Sequence, residues 1–79
     1  MKHVRERIRR YRLIRGYSQE YVAFRLGVSQ STFARLEGNT IKLSLDRLYK
    51  IAEILEVSSS ELQASSEHKP ELNRIGPIQ

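Results

Sequence analysis

Apolar positions recur along the chain at helical spacing, and serines, glycines and polar runs separate one such block from the next. Val4, Ile8 and Tyr11 follow i, i+4, i+7 and predict a first helix over residues 2–15, with Arg12 bordering its buried stripe. Leu13 and Ile14 exceed what that stripe can bury, which leaves one of them for a neighbouring helix or a partner. Gly16 ends the helix as a left-handed stop residue. Ser18 caps a second helix running to about Leu26, buried through Val22, Ala23 and Leu26 and widened by Tyr21 or Phe24. Gly27 and Val28 make a tight turn, and Ser29 caps a third helix with Phe33 and Leu36 on its inner side. Gly38 and Asn39 both suit the left-handed close of that helix. After a loop over residues 40–43, Ser44 opens a fourth helix with Asp46 in its first turn. Leu45, Leu48, Ile51, Ala52 and Leu55 keep the 3.6 period there. Ser58-x-x-Glu61 reads as a capping box for a short fifth helix containing Leu62.

The pattern predicts an all-α fold, a compact five-helix bundle. Helices two and three, joined by a brief glycine-containing turn, form a helix-turn-helix. Periodicity stops near Ser65, so the reading is one domain over residues 1–64 and a flexible C-terminal tail over 65–79. Leu72, Ile75 and Ile78, spaced three apart, give that tail a short apolar strip.

Composition narrows the function. Seventy-nine residues allow one domain with a small core, which oligomerisation would reinforce. With no cysteine there is neither a disulfide framework nor a thiolate metal site. No apolar run approaches membrane-span or signal-peptide length, so a cytoplasmic location is expected and a membrane partner is not. Residues 1–50 hold 12 of the 14 Lys and Arg against 4 of the 9 acids, a surplus of eight positive charges. The remainder holds 2 basic and 5 acidic residues, a surplus of three negative. A basic front of this kind suits a polyanion held on one face.

The third helix supplies the chemistry. Opposite Phe33 and Leu36, the residues Gln30, Ser31, Ala34 and Arg35 project together. An amide, a hydroxyl, a methyl and a guanidinium fork match base edges in a DNA major groove, Gln pairing with adenine and Arg with guanine. Gln30, Ser31 and Arg35 are therefore the candidate base contacts. Gln19 stands where the free N–H groups of the second helix gather and welcome a phosphate. Arg5, Arg9, Arg10 and Lys42 add to the basic face. No P-loop, nucleophile elbow or paired-carboxylate motif is present, so no enzyme and no cofactor are expected. His3 and His68 lie far apart without further ligand spacing, and no metal is expected.

These residues resemble a known family. Ser18-Gln19-Glu20-x-Val22-Ala23, Leu26-Gly27-Val28-Ser29, Phe33-Ala34-Arg35-Leu36-Glu37-Gly38 and Leu45-x-x-Leu48-x-x-Ile51-Ala52-x-x-Leu55 look like the phage repressor/Cro-type (XRE-like) helix-turn-helix family over residues 5 to 62. The resemblance implies the lambda-repressor-like fold and a sequence-specific transcriptional regulator, a repressor acting as a homodimer on a palindromic operator in double-stranded DNA. It implies phosphate contacts at Gln19, Thr32, Asn39, Thr40 and Lys42, and a semi-buried salt bridge between Arg12 and Glu37. Two departures stand out: Phe33 is larger than the usual aliphatic, and Ala34 leaves a gap in the reading face. Tyr49 and Ile54, apolar outside the stripe of the fourth helix, and Leu62 of the fifth either form a dimer patch or finish the core. The alternatives are an antitoxin that represses its own operon and binds a toxin through the C-terminal tail, or the controller of a restriction–modification system.

Overall fold

The structure, a computed structural model, describes residues 3–63. Among these, five α-helices follow one another: α1 (Val4–Arg15), α2 (Gln19–Leu26), α3 (Gln30–Glu37), α4 (Leu45–Leu55) and α5 (Ser59–Gln63). The expected tail over 65–79, with Leu72, Ile75 and Ile78, lies outside the described residues, as does His68.

Serine side chains start four of the helices. The hydroxyl oxygens of Ser18, Ser29, Ser44 and Ser58 accept from the backbone N–H of Tyr21 (2.9 Å), Thr32 (3.1 Å), Arg47 (3.2 Å) and Glu61 (3.0 Å). Each satisfies a donor that the first helical turn leaves free, typically stabilising by about 1 kcal/mol. At α5 the capping box is half formed. Ser58 caps as expected, whereas the Glu61 carboxylate accepts from the Tyr11 hydroxyl at 2.6 Å and so ties α5 to α1.

Left-handed residues stop the helices. Gly16 (φ 77°) and Gly27 (φ 82°) close α1 and α2 as the sequence predicts. At the end of α3 the two expected stop residues divide the work. Gly38 sits at φ −87° and Asn39 takes the left-handed position at φ 67°. At Gly38 the fit is close: a Cβ there would stand 3.0 Å from the Ala34 carbonyl oxygen, which would have to shift. Glu56 closes α4 at φ 62°, a conformation ordinary side chains adopt at some cost.

The core joins Val4, Ile8, Val22, Ala23, Phe33, Leu36, Leu43, Leu48, Ile51, Ala52, Ile54, Leu55 and Leu62. Phe33 is fully buried, so the larger side chain is accommodated. Four expectations from periodicity are corrected or narrowed. Ile54 (6% exposed) and Leu62 (0%) belong to the core and cannot serve as a surface dimer patch. The reason is that α4 packs against α1, α2 and α5 together, so its buried side is wider than one stripe. Leu45, expected inside, is exposed, because at 100° per residue it shares the outer side of α4 with the exposed Tyr49. Leu13 and Ile14 are both exposed, so of the two expected uses, a neighbouring helix or a partner, burial against a helix of this fold is not the one seen. Neither Tyr21 nor Phe24 widens the buried side of α2; Tyr17, Leu26 and Val28 pack against the core instead.

Candidate nucleic-acid interface

The turn between α2 and α3 is three residues long, and two backbone bonds fix it. The N–H groups of Gly27 and Val28 both donate to the Ala23 carbonyl, at 2.9 and 3.0 Å. Val28 packs against the core, and Ser29 immediately caps α3. With Phe33 and Leu36 buried at 0% and 1%, the opposite side of α3 must face outward. Gln30, Ser31 and Arg35 are exposed there, and Ala34 is half-buried between them. One side therefore anchors the helix and the other presents an amide, a hydroxyl and a guanidinium to solvent.

The residues around α3 are arranged as follows. Asn39, Thr40 and Lys42 are exposed on the segment leaving α3. The Thr40 hydroxyl and N–H both donate to the Arg35 carbonyl, at 3.3 and 2.9 Å, which holds this segment against the helix end. Thr32 is half-buried, and its hydroxyl accepts from Ser29 at 2.9 Å. Gln19 is half-buried, and its Nε2 donates to Glu37 Oε1 at 2.9 Å. That amide donor is already used inside the protein, while the start of α2 still presents backbone N–H groups outward.

Arg12 and Glu37 form a two-pronged pair. Arg12 Nε donates to Glu37 Oε2 at 2.8 Å and Nη2 to Oε1 at 3.0 Å, with side chains 9% and 5% exposed. Arg12 Nη1 donates to the Tyr17 carbonyl at 2.9 Å. One guanidinium thus joins α1, the lead-in to α2 and the last turn of α3.

Two further arginines of α1 are spent internally, which residue patterning did not reveal. Arg5 Nη1 donates to the Leu36 carbonyl at the end of α3. Arg15 donates to the Leu55 carbonyl (2.8 Å) and the Glu56 carbonyl (3.2 Å) at the end of α4. A faint signal existed for the second. The last turn of α4 has no basic residue of its own to meet its free carbonyls. Arg9 and Arg10 remain exposed. At 100° per residue, Arg9 projects on the side of α1 that carries Arg5 and Arg12, toward α3, while Arg10 projects away from it. Donating to Glu61 raises the Tyr11 phenol above its ordinary value of 10.0, with burial and the Glu61 charge adding to the hydrogen bond.

Among the described residues no group of three His, Cys, Asp or Glu side chains is placed to hold a metal ion. No helix there is long and apolar enough to cross a membrane.

A short, internally capped turn between two helices, with the second helix anchored on one side and polar on the other, defines a helix-turn-helix DNA-binding domain. Residues 8–62 match the helix-turn-helix family, and the chain belongs to it, in the XRE/Cro-type group of DNA-binding domains rather than among enzymes. The fold is similar to the N-terminal DNA-binding domain of SinR from Bacillus subtilis: 29% identity, TM-score 0.74, covering 86% of this chain and all of that one. It is also similar to a chain of the SinR protein/SinI protein complex: 31% identity, TM-score 0.68, covering 81% of this chain and 69% of that one. No curated protein matches the chain.

Proposed function

We propose that this protein is a transcriptional regulator, a repressor that binds a palindromic operator as a homodimer, in the cytoplasm. The observation that carries the reading is the division of α3: Phe33 and Leu36 buried, Gln30, Ser31 and Arg35 exposed on the other side. In this reading α3 lies in the major groove and those three side chains meet base edges. Thr32, Asn39, Thr40 and Lys42 meet phosphates along the exit of α3. At the start of α2 a phosphate is received by the backbone N–H groups, with Gln19 fixed beside them by Glu37. Arg9 joins this set, since Arg5 and Arg12 are engaged within the fold. The domain spans residues 1–64.

Selection of bound duplexes from a random pool tests the reading. A two-fold-related pair of half-sites with centres about 34 Å apart, one helical turn, is expected. Recovery of no common sequence would overturn sequence-specific control. A second reading adds a protein partner, and it is supported by the existence of the SinR–SinI complex. Under it, the regulator also answers to an inhibitor or a toxin, and co-purification with the product of a neighbouring gene is the outcome to look for.

A further inference from the structure

α1 has a second outward side, turned away from Arg5, Arg9 and Arg12. Arg7, Arg10 and Ile14 fall there within roughly 60° of one another around the helix axis, and Leu13 stands roughly 60° further round. Ile14 is 66% exposed and Leu13 58%. A groove lined by His3, Glu6, Arg7 and Arg10 continues the strip toward the start of the helix. Its two guanidiniums lack acceptors. Arg7 Nε is enclosed yet has no hydrogen-bond partner, and Arg10 is exposed with no ion pair among the described residues. The carboxylates on this side are engaged: Glu6 Oε1 lies 3.5 Å from His3 Nδ1, and Glu61 accepts from Tyr11.

From this pattern we infer that the side of α1 turned away from α3 docks an acidic amphipathic helix of a protein partner. The inference rests on the reading of α3 as the DNA-facing helix, which leaves this side accessible on the operator. The unmet groups choose the occupant. A guanidinium with an enclosed, unanswered N–H gains by turning onto a carboxylate. Nucleic-acid phosphates would answer Arg7 and Arg10 but leave Leu13 and Ile14 in water. A purely apolar partner would cover the leucine and isoleucine and leave both charges unmatched. From Arg7 to Ile14 the strip runs about 10 Å, two helical turns, which an acidic helix with leucines on one stripe and glutamates beside it can follow.

Fluorescence anisotropy with the full chain tests this. The probe is a synthetic helical peptide of leucine and glutamate in that arrangement, set against the same residues scrambled and against polyglutamate. Wild type binds the arranged peptide and discriminates against both controls. Arg10→Glu and Ile14→Ser, each at an exposed position and checked by melting curves, weaken binding roughly tenfold or more while operator affinity holds. Saturating operator duplex leaves peptide binding in place. No binding of the arranged peptide, equal binding of the controls, equal binding by the variants, or displacement by the operator would overturn the inference. Operator selection separates the two failures: a chain that selects its operator and ignores the peptide sinks the α1 surface alone, and one that selects no sequence sinks the reading beneath it.

Discussion

Glu37 accepts Arg12 through both carboxylate oxygens and takes a third donor from Gln19, so the end of α3 is tied to α1 and α2 by one side chain. Both partners of the ion pair are nearly enclosed. Removing one member leaves the other charge without a match, at a typical cost of about 3–5 kcal/mol. Glu37→Ala is therefore expected to lower the melting temperature strongly. A paired Arg12→Met, Glu37→Leu variant recovers much of the loss, because no lone charge remains. Thermal denaturation of the three proteins checks this; an unchanged melting point in Glu37→Ala would remove the pair from the account of stability.

Four arginines of α1 separate into three groups with different phenotypes. Arg5 and Arg15 meet carbonyls at the ends of α3 and α4, so replacing either by Ala costs stability, on the order of 1 kcal/mol, with the salt dependence of DNA binding unchanged. Arg9→Ala leaves melting unaltered and reduces the slope of log affinity against log salt by about one. Arg10→Ala, on the far side of the helix, changes neither. Equal slopes for Arg9→Ala and Arg10→Ala would remove Arg9 from the interface.

At Asn39 one substitution separates the helix stop from the proposed phosphate contact. The residue's left-handed backbone, φ 67°, suits glycine at least as well as asparagine. Asn39→Gly is expected to keep or slightly raise the melting temperature while weakening binding to all DNA sequences alike, through loss of a side chain facing a phosphate. Asn39→Val, a branched residue forced into that conformation, loses about 1–2 kcal/mol of stability. Full affinity in Asn39→Gly would reduce Asn39 to a cap.

The elements were legible in the sequence because their causes are local. Ser18, Ser29, Ser44 and Ser58 cap within three residues of themselves, and Gly16 and Gly27 stop helices by their own backbone freedom. Phe33 and Leu36 on one side of α3, with Gln30 and Arg35 on the other, follow from periodicity alone. What periodicity could not settle depends on how many neighbours a helix has. Ile54 is buried because α4 meets three helices, and Phe24 is exposed because at 100° per residue it points away from the buried Val22. The engagement of Arg5, Arg15 and Gln19 was equally hidden. Their partners are carbonyls or a carboxylate 18 or more positions away, with which no sequence spacing associates them.

The Tyr11–Glu61 contact predicts a pH dependence with a definite sign. The neutral phenol donates to a carboxylate, and the folded state holds that proton more tightly than the unfolded chain does. A raised folded value means that the contribution is complete below the ordinary tyrosine value of 10.0 and fades as pH rises through the raised one. The stability difference between wild type and Tyr11→Phe should thus be constant from neutral pH to about 10 and shrink above it. Denaturant titrations of both proteins across that range measure it, and a difference unaffected by strongly alkaline pH would show that the hydrogen bond contributes nothing.

Arg35 offers the sharpest distinction between reading bases and merely holding DNA. It is exposed on the outward side of α3, and its carbonyl anchors Thr40, so its backbone is fixed while its side chain is free. A guanidinium that bonds both acceptors of one guanine discriminates by about 1–3 kcal/mol against other bases at that position. Arg35→Ala should therefore flatten preference at a single operator position, and symmetrically at its mate in the other half-site, while the remaining positions keep theirs. Competition binding with single-base operator variants reads this directly. If affinity instead falls equally for every variant, and the salt slope falls with it, Arg35 grips a phosphate and the reading of sequence passes to Gln30 and Ser31.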